Sequence, residues 1–326
     1  MSANQTSRQP EKRISILIPV YNEGAHSLER LRKALLPLLD NRLTPQPYSW
    51  QVMMVDDGSR DDSLEAMRRI HDEDPRFGYV SLSRNFGKEN ALLAGMDMVS
   101  GDCTVIMDAD LQHPVDAIPR MIAEWEGGYD DVYGQRVTRG REPWLRRRLS
   151  LAYYALLQRL SPRVQILPNV GDFRLLDRRV VHAIRGLRES QRYTKGLYCW
   201  VGFSKKAVPF EQQGRAEGKS SFGFMSLFNL AVEGITSYTT APLRIATVGG
   251  FVIAALSLVY MLVIIVKTLC FSEPIQGFPT LACLILFLGG CQLVAVGIIG
   301  EYIGRIFNQT KERPPYIIAE HNGKRI

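Results

Sequence analysis

The chain has 326 residues, of which 46% are hydrophobic and 22% charged, and its formal net charge is +7. That length allows about two domains, the balance of residue types excludes a disordered or low-complexity chain, and the positive charge points to an anionic partner: nucleic acid, a phosphorylated ligand or a membrane surface. The five cysteines form no CxxC pair and three of them (Cys270, Cys283, Cys291) fall in apolar segments, which excludes a disulfide scaffold or zinc finger and suits a reducing compartment.

Residues 1–12 are polar, lack the apolar core of a secretory signal and read as a disordered tail, so the first ordered element is expected in the cytoplasm. Residues 13–220 read as a catalytic domain. Ile14 to Val20 is a short apolar run closed by the turn-prone Asn22-Glu23-Gly24, the pattern of a buried strand. Leu28, Leu31, Leu35, Leu38 and Leu39 follow at helical spacing. Val52 to Val55 is a second strand running into Asp56-Asp57-Gly58-Ser59, and Leu64, Met67 and Ile70 form the next helical stripe, with Ser59 or Asp57 as a candidate cap. Tyr79 to Leu82 is a third strand, Ala91 to Val99 a helix, and Thr104 to Met107 a fourth strand ending at Asp108. Strands alternating with helices predict an α/β fold around a mostly parallel sheet, covered on both faces. Ligands of such sheets bind beyond the carboxyl ends of the strands, where Asp56-Asp57 and Asp108-Ala109-Asp110 fall.

There is no GxGxxG, no GxxxxGK, no GxSxG and no histidine pair at metal-ligand spacing. The chemical signal is the acidic strand ends. Asp108 and Asp110 are placed to share one hard divalent ion, with Gln112 close behind as an oxygen ligand, and magnesium is commonly held by one or two carboxylates plus substrate phosphates. From Arg136 to Arg148 there are six arginines and one acid, Glu142. Arginine's planar fork suits phosphate oxygens. Leu145, Leu149, Tyr153, Leu156, Leu157 and Leu160 continue this stretch as an apolar face, and a cationic lead into an amphipathic helix reads as a membrane-surface element. No aromatic-interleaved basic platform appears, so nucleic acid is not expected as a partner.

Residues 221–243 read as a juxtamembrane amphipathic helix through Phe224, Leu227, Phe228, Ala231 and Ile235. Residues 244–304 then hold two uncharged runs, 245–266 and 278–300, the first of which spans roughly 33 Å as a helix, enough for the hydrocarbon core. Arg244 precedes the first run, and Arg305, Lys311 and Arg313 follow the second, while the connection carries only Lys267 as a cation. This asymmetry predicts a transmembrane hairpin with both termini cytoplasmic. Gly297, Gly300 and Gly304 leave a smooth strip for close packing, and residues 305–326 read as a cytoplasmic tail.

Several motifs stand in a fixed order: Val20-Tyr21-Asn22-Glu23, Asp56-Asp57-Gly58-Ser59, Arg84 to Glu89, Asp108 to Gln112, Tyr133 to Arg136, Gly171 to Arg174 and Lys195-Gly196-Leu197. Together they resemble family-2 glycosyltransferases of the polyprenyl-phosphate branch, and the closing Gly300 to Arg305 string is most similar to the bactoprenol glucosyltransferases. The resemblance implies a GT-A fold and an inverting enzyme. It would move a sugar, first of all glucose from a UDP-linked donor, to undecaprenyl phosphate on the cytoplasmic face of a bacterial inner membrane. Aminoarabinose, galactose or mannose are the alternatives. The resemblance places Pro19, Tyr21, Glu23, Asp56, Lys88 and Asp108 at the nucleotide sugar. It gives Asp108, Asp110 and Gln112 to an Mg2+ or Mn2+ ion, and Asp172 with Asp110 to catalysis. By the same resemblance Arg136, Arg146, Arg147, Ser150, Arg215 and Lys219 would face the lipid phosphate. The string Arg215 to Phe222 departs from the relatives' Arg-x-x-Gly-x-Ser-Lys-Tyr, with lysine displaced to Lys219. Asp172 is expected to orient the acceptor as much as to take a proton; otherwise it is a strand-end carboxylate satisfied by Arg174 or a backbone amide. Further copies of the chain are expected partners. A processive polysaccharide synthase is disfavoured because Gln212-Gln213-Gly214-Arg215 is followed by Ala216 and only two spans exist. A non-catalytic scaffold is disfavoured by the intact acids.

Overall fold

The computed structural model describes residues 12–44, 47–137, 170–189, 192–211, 241–271 and 277–326. The chain divides into two compact units, an α/β domain that includes Pro314–Ile326 and a unit holding the two long helices. The juxtamembrane segment expected before the first long helix lies outside the described residues, apart from its last three positions.

In the α/β domain the elements run β1 (Arg13–Val20), α1 (Gly24–Leu39), β2 (Ser49–Asp56), α2 (Ser63–Glu73), β3 (Phe77–Leu82), α3 (Lys88–Met98), β4 (Cys103–Ile106) and α4 (Ala117–Glu126). They continue as β5 (Asp131–Arg136), β6 (Val170–Asp177), α5 (Arg178–Arg185), α6 (Thr194–Trp200) and β7 (Lys205–Phe210). Among the described residues nine strands form one sheet in the order β7-β5-β6-β4-β1-β2-β3-β8-β9, where β8 is Ile318–His321 and β9 is Lys324–Arg325. β4, β1, β2 and β3 are mutually parallel, as the alternating pattern predicts.

Side chains alternate across β1 because successive residues of a strand face opposite sides. Ile14, Ile16, Ile18 and Val20 join α1, α2 and α4 in one apolar cluster, while Leu17 joins α3, α5 and α6 in the other. Each fully buried Leu or Ile contributes roughly 1.5–3 kcal/mol, so both helical layers are held by the sheet rather than by helix propensity. The stripe Leu28, Leu31, Leu35, Leu38 and Leu39 is buried on α1 as its spacing requires.

β6 is antiparallel to both β4 and β5. A reversed strand brings its amino end to the edge where its neighbours bring their carboxyl ends. The ends of β1, β2, β4 and β5 and the start of β6 therefore meet on one rim.

Two differences from the sequence expectation concern the C-terminal third. The long helices α7 (Ala241–Phe271) and α8 (Phe278–Thr310) exceed the uncharged runs at 245–266 and 278–300. Helix geometry continues through Glu301 and Arg305, which pair one turn apart at 3.0 Å, so charge does not end the helix where it ends the apolar run. Among the described residues, Phe287–Thr310 is the segment long and apolar enough to cross a membrane by length and composition.

Residues 305–326, expected as a tail, instead supply the end of α8 and the strands β8 and β9. β8 adds antiparallel to β3, and Ser83 donates its N–H to Ile317 at 2.9 Å. The attachment is ionic as well as backbone. Arg68 grips Glu320 with Nε at 2.9 Å and Nη2 at 2.5 Å, and the Tyr79 hydroxyl donates to the same carboxylate at 2.5 Å. Nearby, Asp97 accepts from Arg185, Arg188 and the Tyr316 hydroxyl. The Arg68 and Tyr79 hydrogen bonds hold the Glu320 carboxyl down at about 2, against 4.5 for a free glutamate. A depressed folded-state value means the pair contributes its full stability above pH 4.5 and loses it as pH falls through about 2. Wild type should therefore melt above Glu320→Gln at neutral pH, and thermal scans should show the gap narrowing as pH drops below 4.5. A gap independent of pH would remove the ionic part of this attachment.

Candidate active site

The rim is assembled loop by loop. After β1 the chain turns through Asn22, whose φ of 53° is left-handed. Asn22 is tied to the loop after β2, donating its N–H to Ser59 Oγ at 3.0 Å and accepting from Arg60 N at 2.8 Å. Glu23 and Gly24 donate their N–H groups to Ser63 Oγ at 3.1 and 3.0 Å. Pro19 is half-buried at the end of β1 and Tyr21 is exposed beside it.

Asp56 closes β2 and is buried, with Oδ1 accepting from Ser59 N at 2.9 Å and Oδ2 from the Ser81 hydroxyl at 2.7 Å. Asp57 accepts from the backbone N–H groups of Phe86 and Gly87 at 2.7 and 2.9 Å. Burial raises the Asp57 pKa, and the two backbone bonds offset part of that shift. Neither Asp57 nor Ser59 caps α2, contrary to the sequence expectation: both are spent joining loops, and the residue preceding the helix is Asp62. Gly58 has φ +67°, and a Cβ there would lie 2.5 Å from the Arg84 carbonyl carbon and 2.7 Å from Asn85 N. The glycine lets the Asp57 loop and the Arg84-Asn85 loop touch.

That contact delivers Lys88, the first residue of α3, to the centre of the rim. Its ammonium lies 2.6 Å from Asp108 Oδ1 and 3.0 Å from Asp172 Oδ2. Burial alone would lower its pKa, but the charges of Asp108 and Asp172 outweigh it and hold the ammonium protonated. Asp172 is the third residue of β6, with Oδ1 buried and without a hydrogen bond. Burial pushes its carboxyl up, yet Lys195 and Lys88 together bring it below the ordinary aspartate range. Asp172 is thus an ionised, weakly basic carboxylate, and its partner is Lys88 rather than Arg174, which pairs with buried Asp131 at 3.0 Å.

Asp108 and Asp110 share a tight turn with Gln112. Asp110 Oδ1 accepts from Gln112 N at 3.1 Å, and Leu111 between them takes a φ of 58°. A non-glycine residue held left-handed is uncommon, and for a bulky leucine it is a local strain. Arg136 ends β5, and its Nη2 is 3.8 Å from the place where a Gly171 Cβ would stand, beside Asp172. The structure brings Pro19, Tyr21, Glu23, Asp56, Lys88, Asp108, Asp110, Gln112, Arg136 and Asp172 to one rim; Arg146, Arg147, Ser150, Arg215 and Lys219 lie outside the described residues.

Sequence reasoning missed His113. Its Nδ1 accepts from Asp108 N at 3.1 Å and its ring stacks on Phe173. Burial lowers its pKa and keeps it neutral. Counting histidines for metal spacing discarded it, whereas its place directly after an acidic turn was the usable signal.

A profile described as Glycosyl transferase family 2 matches residues 15–185, which span every element of the rim just described. The chain belongs to glycosyltransferase family 2. It is a transferase enzyme, and its α/β domain is the GT-A domain of that family. A second profile, GtrB C-terminal hairpin, matches residues 241–306, the segment of α7 and α8. A relative named putative glycosyltransferase CsbB from Bacillus subtilis is 41% identical over 309 residues, covering 95% of this chain and 92% of the relative. The bactoprenol glucosyl transferase of Shigella phage SfV is 39% identical over 313 residues, covering 96% and 100%. Among solved structures, a mannosyltransferase from Pyrobaculum calidifontis in complex with GDP-Man and Mn2+ aligns at 20% identity over 61% of this chain and 55% of its own, with a TM-score of 0.43.

For this family-2 glycosyltransferase the Gly58 contact generates a direct test. Gly58→Ala adds a left-handed penalty of roughly 1–2 kcal/mol, before the backbone clash is counted. A loss of about 2 kcal/mol corresponds to a drop of roughly 4–8 °C in a domain of this size. Thermal melts of the variant should show it, and an unchanged melting temperature would mean the two loops do not meet as described.

Proposed function

We propose that this enzyme transfers glucose, with inversion, from UDP-glucose to a polyprenyl phosphate at the cytoplasmic face of a bacterial inner membrane. The observation that carries the reading is the Lys88 bridge, which gathers Asp108 and Asp172 on one rim with Arg136 beside them. The whole-length relative named bactoprenol glucosyl transferase supports the lipid acceptor and the sugar. The hairpin match over 241–306, the uncharged runs and their basic flanks support a two-helix membrane anchor with both termini cytoplasmic.

The residues fit a divalent ion. Asp108 and Asp110 offer hard carboxylate oxygens, and the nearby histidine is already committed through Nδ1 to a backbone amide. Two carboxylates and an amide oxygen make a partial donor set of the kind that Mg2+ or Mn2+ completes with substrate phosphate oxygens and water. Asp108, Asp110 and Gln112 would hold the ion, and when bound it supplies positive charge against the departing diphosphate.

The protein's own work is positioning. A phosphate monoester has its second pKa near 6 and is largely dianionic at neutral pH. One of its oxygens attacks the anomeric carbon, the bond to the donor β-phosphate oxygen breaks, and the nucleoside diphosphate departs with the electron pair. No strong base is needed, which agrees with an Asp172 held ionised and weakly basic. Lys88 balances the two carboxylates so that anionic ligands can enter, and Arg136 takes the acceptor phosphate by its fork. Pro19, Tyr21, Glu23 and Asp56 form the nucleotide side.

The deciding experiment incubates purified protein with undecaprenyl phosphate and a panel of radiolabelled nucleotide sugars. Labelled lipid from UDP-glucose is expected, and none from any donor would end this reading. Asp110→Asn, or excess chelator on wild type, should abolish nearly all transfer without unfolding the chain; full activity in chelator would remove the metal. Arg136→Ala should lose a charge-assisted contact of about 1.5–3 kcal/mol. That weakens acceptor use roughly 10- to 150-fold, while calorimetric binding of UDP stays near wild type. Loss of UDP binding with an unchanged acceptor KM would move Arg136 to the donor.

A further inference from the structure

We infer that His113 is a positioning residue, which fixes the backbone of the Asp108 turn against the strand that carries Asp172. The inference rests on the assignment of Asp108 and Asp110 to a metal-bound donor, and it concerns a residue outside that ligand set.

Beyond β4 the sheet ladder stops: Met107 still donates its N–H to Leu17 at 3.1 Å, but the next amide, Asp108 N–H, leaves the ladder for His113 Nδ1 at 3.1 Å. The turn from Asp108 to His113 is therefore closed by a side chain. Within it, Asp110 Oδ1 takes Gln112 N–H and Leu111 is left-handed, so the carboxylates depend on that closure for their direction.

The ring is itself fixed from outside the turn. It lies flat on Phe173, centroids 4.7 Å apart and planes 6° from parallel, and meets Phe210 edge-on at 6.0 Å and 78°. Phe173 and Phe210 pack on each other at 5.4 Å. Gly134 on β5 makes room for both, since a Cβ there would stand 2.7 Å from Phe173 Cδ1 and 2.8 Å from Phe210 Cε1. Phe173 is the residue after Asp172. One imidazole thus links the amide of Asp108 to the neighbour of Asp172, on the side opposite to the Lys88 bridge between the same two carboxylates.

Two properties are needed at once, a flat ring for the aromatic box and an acceptor one atom beyond Cγ. Phenylalanine has the first only. Asparagine has the second only, its Oδ1 replacing Nδ1. This separation gives the test. Full-length wild type, His113→Phe and His113→Asn in detergent are compared by thermal melting, by calorimetry with Mn2+ and UDP, and by steady-state kinetics. The expected orders are opposite: His113→Phe melts higher than His113→Asn, whereas His113→Asn binds Mn2+–UDP at least tenfold more tightly than His113→Phe and keeps the higher kcat. The acceptor KM should stay close to wild type in both. Should His113→Phe fail to fold, His113→Leu, which also lacks the acceptor, replaces it in the binding and kinetic comparison alone. Affinity that simply follows melting temperature, or variants that bind Mn2+–UDP like wild type, would overturn the inference. A wild-type chain that binds UDP equally well with and without Mn2+ would instead bring down the metal assignment, and this inference with it.

Discussion

The organising interaction of this molecule is one ammonium shared by two carboxylates. Lys88 reaches Asp108 and Asp172 at 2.6 and 3.0 Å, and those acids arrive from strands of opposite direction, β4 and β6. Two carboxylates on one partly dried rim repel each other and resist desolvation. A cation between them offsets that repulsion, and it must be delivered by a third element. The loops before α3 are built for that delivery: Asp57 holds the Phe86 and Gly87 amides, and Gly58 permits the contact.

The reversal of β6 is the second constraint. In an all-parallel sheet the start of a strand lies on the far edge from the ends of its neighbours. Because β6 runs backwards, Gly171 and Asp172 come to the rim at its beginning while the ends of β4 and β5 bring Asp108 and Arg136. The buried Arg174–Asp131 pair, with Arg174 also 3.8 Å over the Tyr198 ring, locks β6 to β5 in this register. A one-residue slip would bury the wrong face and break a charge pair in the interior, so the register is strongly specified.

How much of this the sequence revealed depended on whether a feature was local. The strands β1 to β4 and the helix stripe of α1 were legible because period and turn residues lie within a few positions of each other. The acids at 56, 108 and 110 were legible because strand ends are predictable places for ligands. Asp172 was found through resemblance alone, since nothing in its neighbourhood announces that β6 is antiparallel. Its partner was not legible for the same reason: Lys88 is distant in the chain, and the alternative reading offered only the nearby Arg174 or a backbone amide. The caps assigned to Asp57 and Ser59 failed because loop-to-loop bonds compete with local capping, and only the folded loops show which wins. β8 has no apolar run, since half of it is Glu320 and His321, and β9 has two charged residues, so neither registered as a strand pattern.

Those last strands have a consequence for how the protein is made. β8 and β9 follow α7 and α8 in the chain, so they leave the ribosome only after both long apolar helices have been synthesised. Until then β3 presents an open edge, a row of unpaired amides and carbonyls of the kind that invites pairing with another chain. Domains generally fold in order of synthesis, but this one cannot finish in that order, because its edge is completed from beyond the hairpin. Maturation of the catalytic domain is thereby made to wait for the synthesis of the two long helices.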